Sequence, residues 1–177
     1  MSRMYQPEAY PKPSLNMEKY KQILHYIIDS VGARENIGKT TIYKILYFCD
    51  FDYYEKYEKP LTGESYRKIN RGPAPCNFNR VVSRLKKEGA IKIKEANYRG
   101  YSQQKFISLK KPQTTLSNPE LELIDEAIRK LSNKNATQIS NFSHKDLPYR
   151  ATPDKKIIDY RLVFYRTPEF SVRTYPD

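Results

Sequence analysis

Four groups of residues in this sequence have types and spacings that could do chemistry. Gly38-Lys39-Thr40 has the ending of a phosphate-binding loop. Such a loop converges backbone N–H groups on phosphate at a strand-to-helix turn, with four residues between its glycines. Here five residues separate Gly32 from Gly38 and the preceding segment has helical periodicity, so the tripeptide is read as a helix start. Ser143-His144-Lys145-Asp146 offers a hydroxyl, an imidazole and a carboxylate within four residues. A nucleophilic triad needs these groups to converge in space. Neighbours on one short segment point apart, so a turn or helix cap is expected. Asp50 and Asp52 could pair as carboxylates for a metal or for acid–base work, but residues two apart on a helix do not face each other. They read as a solvated face. Cys49 and Cys76 stand without a motif and read as reduced thiols of a cytoplasmic protein. The two histidines, His25 and His144, are too few for a histidine-rich metal site, and His25 reads as a rim residue. No metal, no cofactor and no enzyme are expected, which leaves binding surfaces as the informative feature.

The cationic residues concentrate in one place. Of the net charge of +12, residues 61–115 supply +10, with thirteen Lys/Arg against Glu64, Glu88 and Glu95. Such a field attracts polyanions or acidic protein surfaces and speeds encounter. No apolar run is long enough for a membrane span, and MSRMYQPEAYPKP has no apolar stretch of a secretory signal.

The elements that must position these groups follow from periodicity. Residues 1–13, with Pro7, Pro11 and Pro13, read as an extended arm. Tyr20, Ile23, Leu24, Ile27, Ile28 and Val31 fall at helical spacing, with Ser14 or Asn16 as cap and Gly32 as stop. A second helix is expected from about Lys39 to about Tyr57, with Ile42, Ile45, Leu46, Cys49 and Tyr53 as its stripe and Lys44, Asp50, Asp52, Glu55 and Lys56 between them. Gly72, Pro73 and Pro75 force a turn. A helix over 76–88 then turns Phe78, Val81, Val82 and Leu85 inward, and a β-hairpin follows, alternating at Ile91–Lys94 with its tip at Tyr98–Tyr101. Ser117-Asn118-Pro119-Glu120 marks the start of a further helix with Leu121, Ile124, Ile128 and Leu131 as its stripe. A short helix over 136–142 is expected next, and residues 167–177 read as a tail.

The fold class is therefore α+β, mainly helical: a winged-helix-like centre of helix plus hairpin, N-terminal helices and a C-terminal helical cap. The centre, about 64–111, is the basic module within a single domain over 14–166. Arg80, Arg84 and Lys87 on its helix and Tyr98, Arg99 and Tyr101 at its hairpin tip are the candidate partner-binding residues. Lys86, Lys92, Lys94 and Lys105 add charge. Arginine and tyrosine anchor interfaces, and the same types contact phosphate and groove walls.

Several segments together resemble the Panacea domain of SocA-like antitoxins and phage-associated proteins. Lys44–Asp50 (Lys-Ile-Leu-Tyr-Phe-Cys-Asp) matches the family's K-L-L-Y-F-x-D helix, Pro60–Tyr66 its P-x-T/S-G-x-x-Y, and Gly72–Pro75 its G-P-x-P. Ser143-His144 and the ending at Ile158–Tyr160 match a S-H-x-x-P segment before I-x-Y, with Pro148 one residue late. The resemblance covers about Met17 to Arg166. It implies a cytoplasmic antitoxin of a bacterial or phage toxin–antitoxin pair, with phage defence as a setting, that neutralises a cognate toxin protein by direct binding. Partner toxins of the family include membrane-perturbing peptides and small alarmone-synthetase-like enzymes that pyrophosphorylate tRNA. The matched residues are read as fold determinants. The alternative is a winged-helix regulator that binds operator DNA and represses its own operon, with a homodimer as a further open arrangement.

Overall fold

The computed structural model describes residues 12–176, so the expected arm lies almost wholly outside the described residues. Helix α1 (Met17–Val31) begins where the Asn16 side chain accepts the Lys19 N–H at 3.0 Å, and buries the six residues its periodicity predicts. His25 is buried with them and meets Ser108 Oγ at 3.0 Å, so it is an interior residue and not a rim one.

Helix α2 (Lys39–Tyr57) departs most from expectation. Its apolar stripe is buried, but so are Thr41, Lys44, Asp50 and Glu55. The solvated face expected for Asp50 and Asp52 does not exist. Other elements pack around α2 on nearly every side, and a helix so enclosed must pair its polar side chains internally.

The turn expected at 72–75 is half of a hairpin. Strands β1 (Tyr66–Ile69) and β2 (Gly72–Pro75) pair antiparallel from Tyr66 opposite Pro75 to Ile69 opposite Gly72. The far side of β1 is covered by residues 155–158, through Lys155 N–H to Lys68 O and Ile158 N–H to Tyr66 O, each at 2.8 Å. That leaves β2 as the edge strand, where prolines without an N–H are tolerated.

Helix α3 (Phe78–Lys87) starts two residues later than expected and turns Phe78, Val81, Val82 and Leu85 into the core. It leads into β3 (Ile91–Tyr98) and β4 (Tyr101–Ser108), paired from Ile91 opposite Ser108 to Tyr98 opposite Tyr101. Arg99 and Gly100 form the two-residue turn with φ of 49° and 83°, the positive values a right-twisted hairpin demands.

Helix α4 (Asn118–Leu131) carries the expected capping box between Ser117 and Glu120; its buried stripe is Leu123, Ile124, Ala127, Ile128 and Leu131. Helix α5 (Ala136–His144) has a second box between Asn135 and Gln138, followed by α6 (Leu147–Arg150) and a 3-10 turn at Tyr160–Tyr165. The segment expected as a tail packs back on the body. Phe170 is buried with its ring 4.8 Å from that of Phe142, and Tyr175 OH donates to Glu55 at 2.9 Å. The fold is mainly helical α+β, centred on α2.

Candidate functional site

Two sets of polar groups sit inside this fold and two outside it. The first interior set is built on Asp50 in the middle of α2. Its carboxylate accepts the Thr62 N–H at 2.9 Å, the Thr62 hydroxyl at 2.8 Å and the Tyr66 hydroxyl at 2.5 Å. Burial pushes this carboxyl up to about 7, although these donors act to lower it. Nearby, buried Glu64 accepts the Asn77 N–H at 2.9 Å and so holds the chain at the start of α3. Lys44 donates to Pro73 O at 3.1 Å. Burial, and then the charge of Arg71, bring its ammonium down to about 7. Gly72 has a φ of +112°, and a Cβ there would stand 2.5 Å from both Lys44 Cε and Ser143 Oγ. The segments 44–50, 60–66, 72–75 and 143–148 are thus wired to one another, which gives the matched residues an architectural role.

The second interior set surrounds Arg166, whose side chain is 0% exposed. Its Nη1 donates to Asp52 at 2.8 Å and Glu55 at 3.0 Å; its Nε and Nη2 donate to Asp146 at 3.0 and 2.8 Å. Tyr47 OH adds a bond to Asp146 at 2.8 Å. Burial raises the Asp52 carboxyl to about 6 against the pull of Arg166. Taking one partner from such a set costs about 3–5 kcal/mol, because a charge is left buried and unpaired. The set also disposes of the triad-like run. Asp146 belongs to Arg166, Ser143 Oγ donates to Ser140 O at 2.8 Å, and the His144 ring stacks 4.9 Å from that of Tyr149. The three groups serve different partners. Among the described residues no cluster of three His, Cys, Asp or Glu could hold a metal ion. Cys49 and Cys76 are both free thiols, the first buried and the second exposed.

The first exterior set is the outer face of α3. Arg80, Arg84 and Lys87 are all exposed and, with Ser83 and Lys86, border a shallow depression. None has a carboxylate partner within salt-bridge distance among the described residues. Lys105 differs from the other module lysines, because it donates to Ile37 O at 2.8 Å and to Arg34 O and so holds the loop between α1 and α2.

The second exterior set is a cleft of about 960 Å³ between the start of α2, the β1–β2 turn, the β3–β4 tip and α5. Tyr98, Arg99 and Tyr101 line it, with the Arg99 guanidinium 5.3 Å from the Tyr98 ring centre and Tyr101 77% exposed. The structure therefore does not gather the six candidate residues into one patch. Three border the α3 depression and three border the cleft. Sequence reasoning missed the rest of the cleft lining, including Thr41, Arg71, Gln103 and His144, which come from four separate segments. Gly38-Lys39-Thr40, set aside as a helix start, was the one local signal, and it is both a helix start and a wall of the cleft.

This architecture is a mainly helical α+β domain with Arg166 paired to carboxylates inside it and, among the described residues, unpaired Arg80, Arg84 and Lys87 on the outer face of α3. The family model described as antitoxin SocA-like, Panacea domain, matches residues 42–148, and the chain belongs to that family. No curated protein and no solved structure matches the chain. Arg166 lies outside the matched residues while Asp52, Glu55 and Asp146 lie inside them. Among the described residues no helix is long and apolar enough to cross a membrane.

Proposed function

We propose that this protein is the antitoxin of a toxin–antitoxin pair and silences its toxin by direct protein–protein binding, without catalysis. Membership of the antitoxin family over residues 42–148 carries the reading. The contact groups are the exposed Arg80, Arg84 and Lys87 of α3 and Tyr98, Arg99 and Tyr101 of the hairpin tip. Large, amphipathic arginine and tyrosine side chains dominate interface energetics, and among the described residues these cations have no internal ion pair to break on binding. The partner surface is accordingly acidic, and a small alarmone-synthetase-like enzyme that modifies tRNA is one class of toxin that would need such a guard. Silencing by occupancy requires an affinity of about nM over an interface of roughly 1,600 Å².

Co-expression with the product of the adjacent gene tests this. That product alone should arrest growth, the pair should grow, and the double variant Arg80→Glu/Arg84→Glu should lose rescue while remaining folded. A harmless neighbour, or one that stays lethal in the presence of this protein, overturns the reading. The order α3–β3–β4 with cations on both helix and hairpin favours a second reading, a winged-helix-like regulator on operator DNA. That reading requires duplex binding that weakens steeply with salt and prefers the protein's own promoter.

A further inference from the structure

We propose that the cleft between the start of α2 and the β3–β4 tip binds a nucleoside phosphate, with its phosphate at the N-terminus of α2 and its base against the tip tyrosines. The site shares Tyr98, Arg99 and Tyr101 with the toxin contacts proposed above but does not rest on that reading, and three features of its chemistry converge on this ligand.

First, the lining selects for an anion. Lys39, Arg71 and Arg99 line the cleft, and among the described residues no aspartate or glutamate does. Second, α2 is 19 residues long and its N-cap, Gly38, supplies no side-chain hydrogen bond. The leading N–H groups of a helix have no intrahelical partner and lie at the positive end of its dipole, which suits phosphate. Third, the cleft holds buried polar atoms with no partner. Thr41, the third residue of α2, is 0% exposed, and its Oγ1 makes no hydrogen bond. On the half-buried side chains of Gln103 and His144 the atoms Oε1 and Nε2 are likewise buried with no hydrogen bond, and all three residues line the cleft. Buried polar atoms are nearly always paired, so three orphans around one cavity mark groups that a ligand completes.

The orphans also say what the ligand carries. The Thr41 hydroxyl and the helix N–H groups are donors and suit phosphate oxygens. Gln103 Oε1 is an acceptor only, so the ligand must bring a donor as well, such as a sugar hydroxyl or a base amine. Inorganic phosphate as a dianion keeps only its single P–OH and has no ring to stack. Tyr98 and Tyr101 present aromatic faces of the kind that stack bases, and about 960 Å³ is room for a mononucleotide. Gly38 matters here because it has no side chain. A Cβ on it would stand 2.8 Å from Gln103 Cγ and displace the carboxamide that lies over the helix start. The arrangement is not a P-loop, since the turn into α2 joins two helices.

Calorimetric titration of the full chain with AMP, adenosine, inorganic phosphate and a 5′-phosphorylated oligonucleotide tests the proposal. AMP should bind saturably and adenosine about tenfold or more weaker. Thr41→Val, which keeps shape and removes only the hydroxyl, should weaken AMP by about tenfold with its thermal midpoint unchanged, whereas Thr41→Ser should retain binding. Arg71→Ala, at an exposed position, should weaken AMP similarly and supplies the test should Thr41→Val fail to fold. Tyr101→Ala should weaken AMP but not inorganic phosphate. An oligonucleotide tighter than AMP identifies a strand end as the source of the ligand, and a weaker one identifies the free nucleotide; both support the site. Absence of saturable binding by AMP and oligonucleotide alike, adenosine binding as tightly as AMP, or wild-type affinity in both Thr41→Val and Arg71→Ala overturns it.

Discussion

Arg166 and Arg84 carry the same guanidinium in opposite settings. Arg166 is fully buried and shared among Asp52, Glu55 and Asp146; Arg84 is exposed on α3 with no carboxylate in reach among the described residues. The first ties the C-terminal segment to α2 and α6. The second has no ion pair among the described residues and is open to an anionic surface. Architectural charge and free surface charge are therefore distinguished here by pairing and burial, not by residue type. The basic middle of the sequence mixes both kinds, since Lys105 is architectural while Lys87, from the same module, is not.

Substitutions break or sharpen that contrast in order of size. Arg166→Met should cost about 3–5 kcal/mol in urea unfolding, because three carboxylates lose their shared partner; a loss below about 1 kcal/mol would place Arg166 with Arg84. Thr62→Val takes the hydroxyl donor from buried Asp50, leaving the backbone N–H in place, and should cost about 1–3 kcal/mol by the same measurement.

The buried charges should also be visible as a pH dependence. The folded Asp50 carboxyl is raised to about 7 from an ordinary 3.8, so the folded state keeps a proton that the unfolded chain has lost. Its contribution to stability is full below the ordinary value and is lost as pH rises through about 7. Asp52, raised to about 6, acts in the same direction. Lys44 is lowered to about 7 from 10.5, so its contribution is full above the ordinary value and is lost as pH falls through about 7. The two limbs give a stability minimum near neutrality. Denaturation at about pH 5, 7 and 9 should show it, with Asp50→Asn flattening the acid limb and Lys44→Met the alkaline one. At the small end, Arg80→Ala and Arg84→Ala should each change stability by no more than about 0.5 kcal/mol, as exposed unpaired residues do. A larger thermal shift would mean that the α3 face serves the fold.

Much of the fold was legible in the residues. The stripe of α1 was read residue by residue, because its face is one-sided and the 3.6-residue period reports it directly. The helix–hairpin of 78–108 was legible for the same reason, and the capping box at Ser117 because its signature is local. The interior of α2 was not. Periodicity detects one buried face, and a helix buried all round has no polar face to contrast with it, so Asp50 looked solvated. The β1–β2 hairpin hid behind Pro73 and Pro75, which argue against a strand unless the strand lies at an edge. The packing of 167–176 depends on Phe170 and on Glu55, which is more than a hundred residues away in sequence. Of the candidate site, the six residues of the basic module are candidates by type alone, and their division between two concavities was not legible.

Sequence by itself determined the positions of α1 to α5 to within about two residues, the basic character of residues 61–115 and the antitoxin family, because capping, period and charge are properties of neighbouring residues. Tertiary structure alone decided which charges are paired, which side of the hairpin tip faces a cavity, and that Thr41, Arg71, Gln103 and His144 share one cleft. Those relations join segments far apart in the chain, and only packing around α2 brings them together.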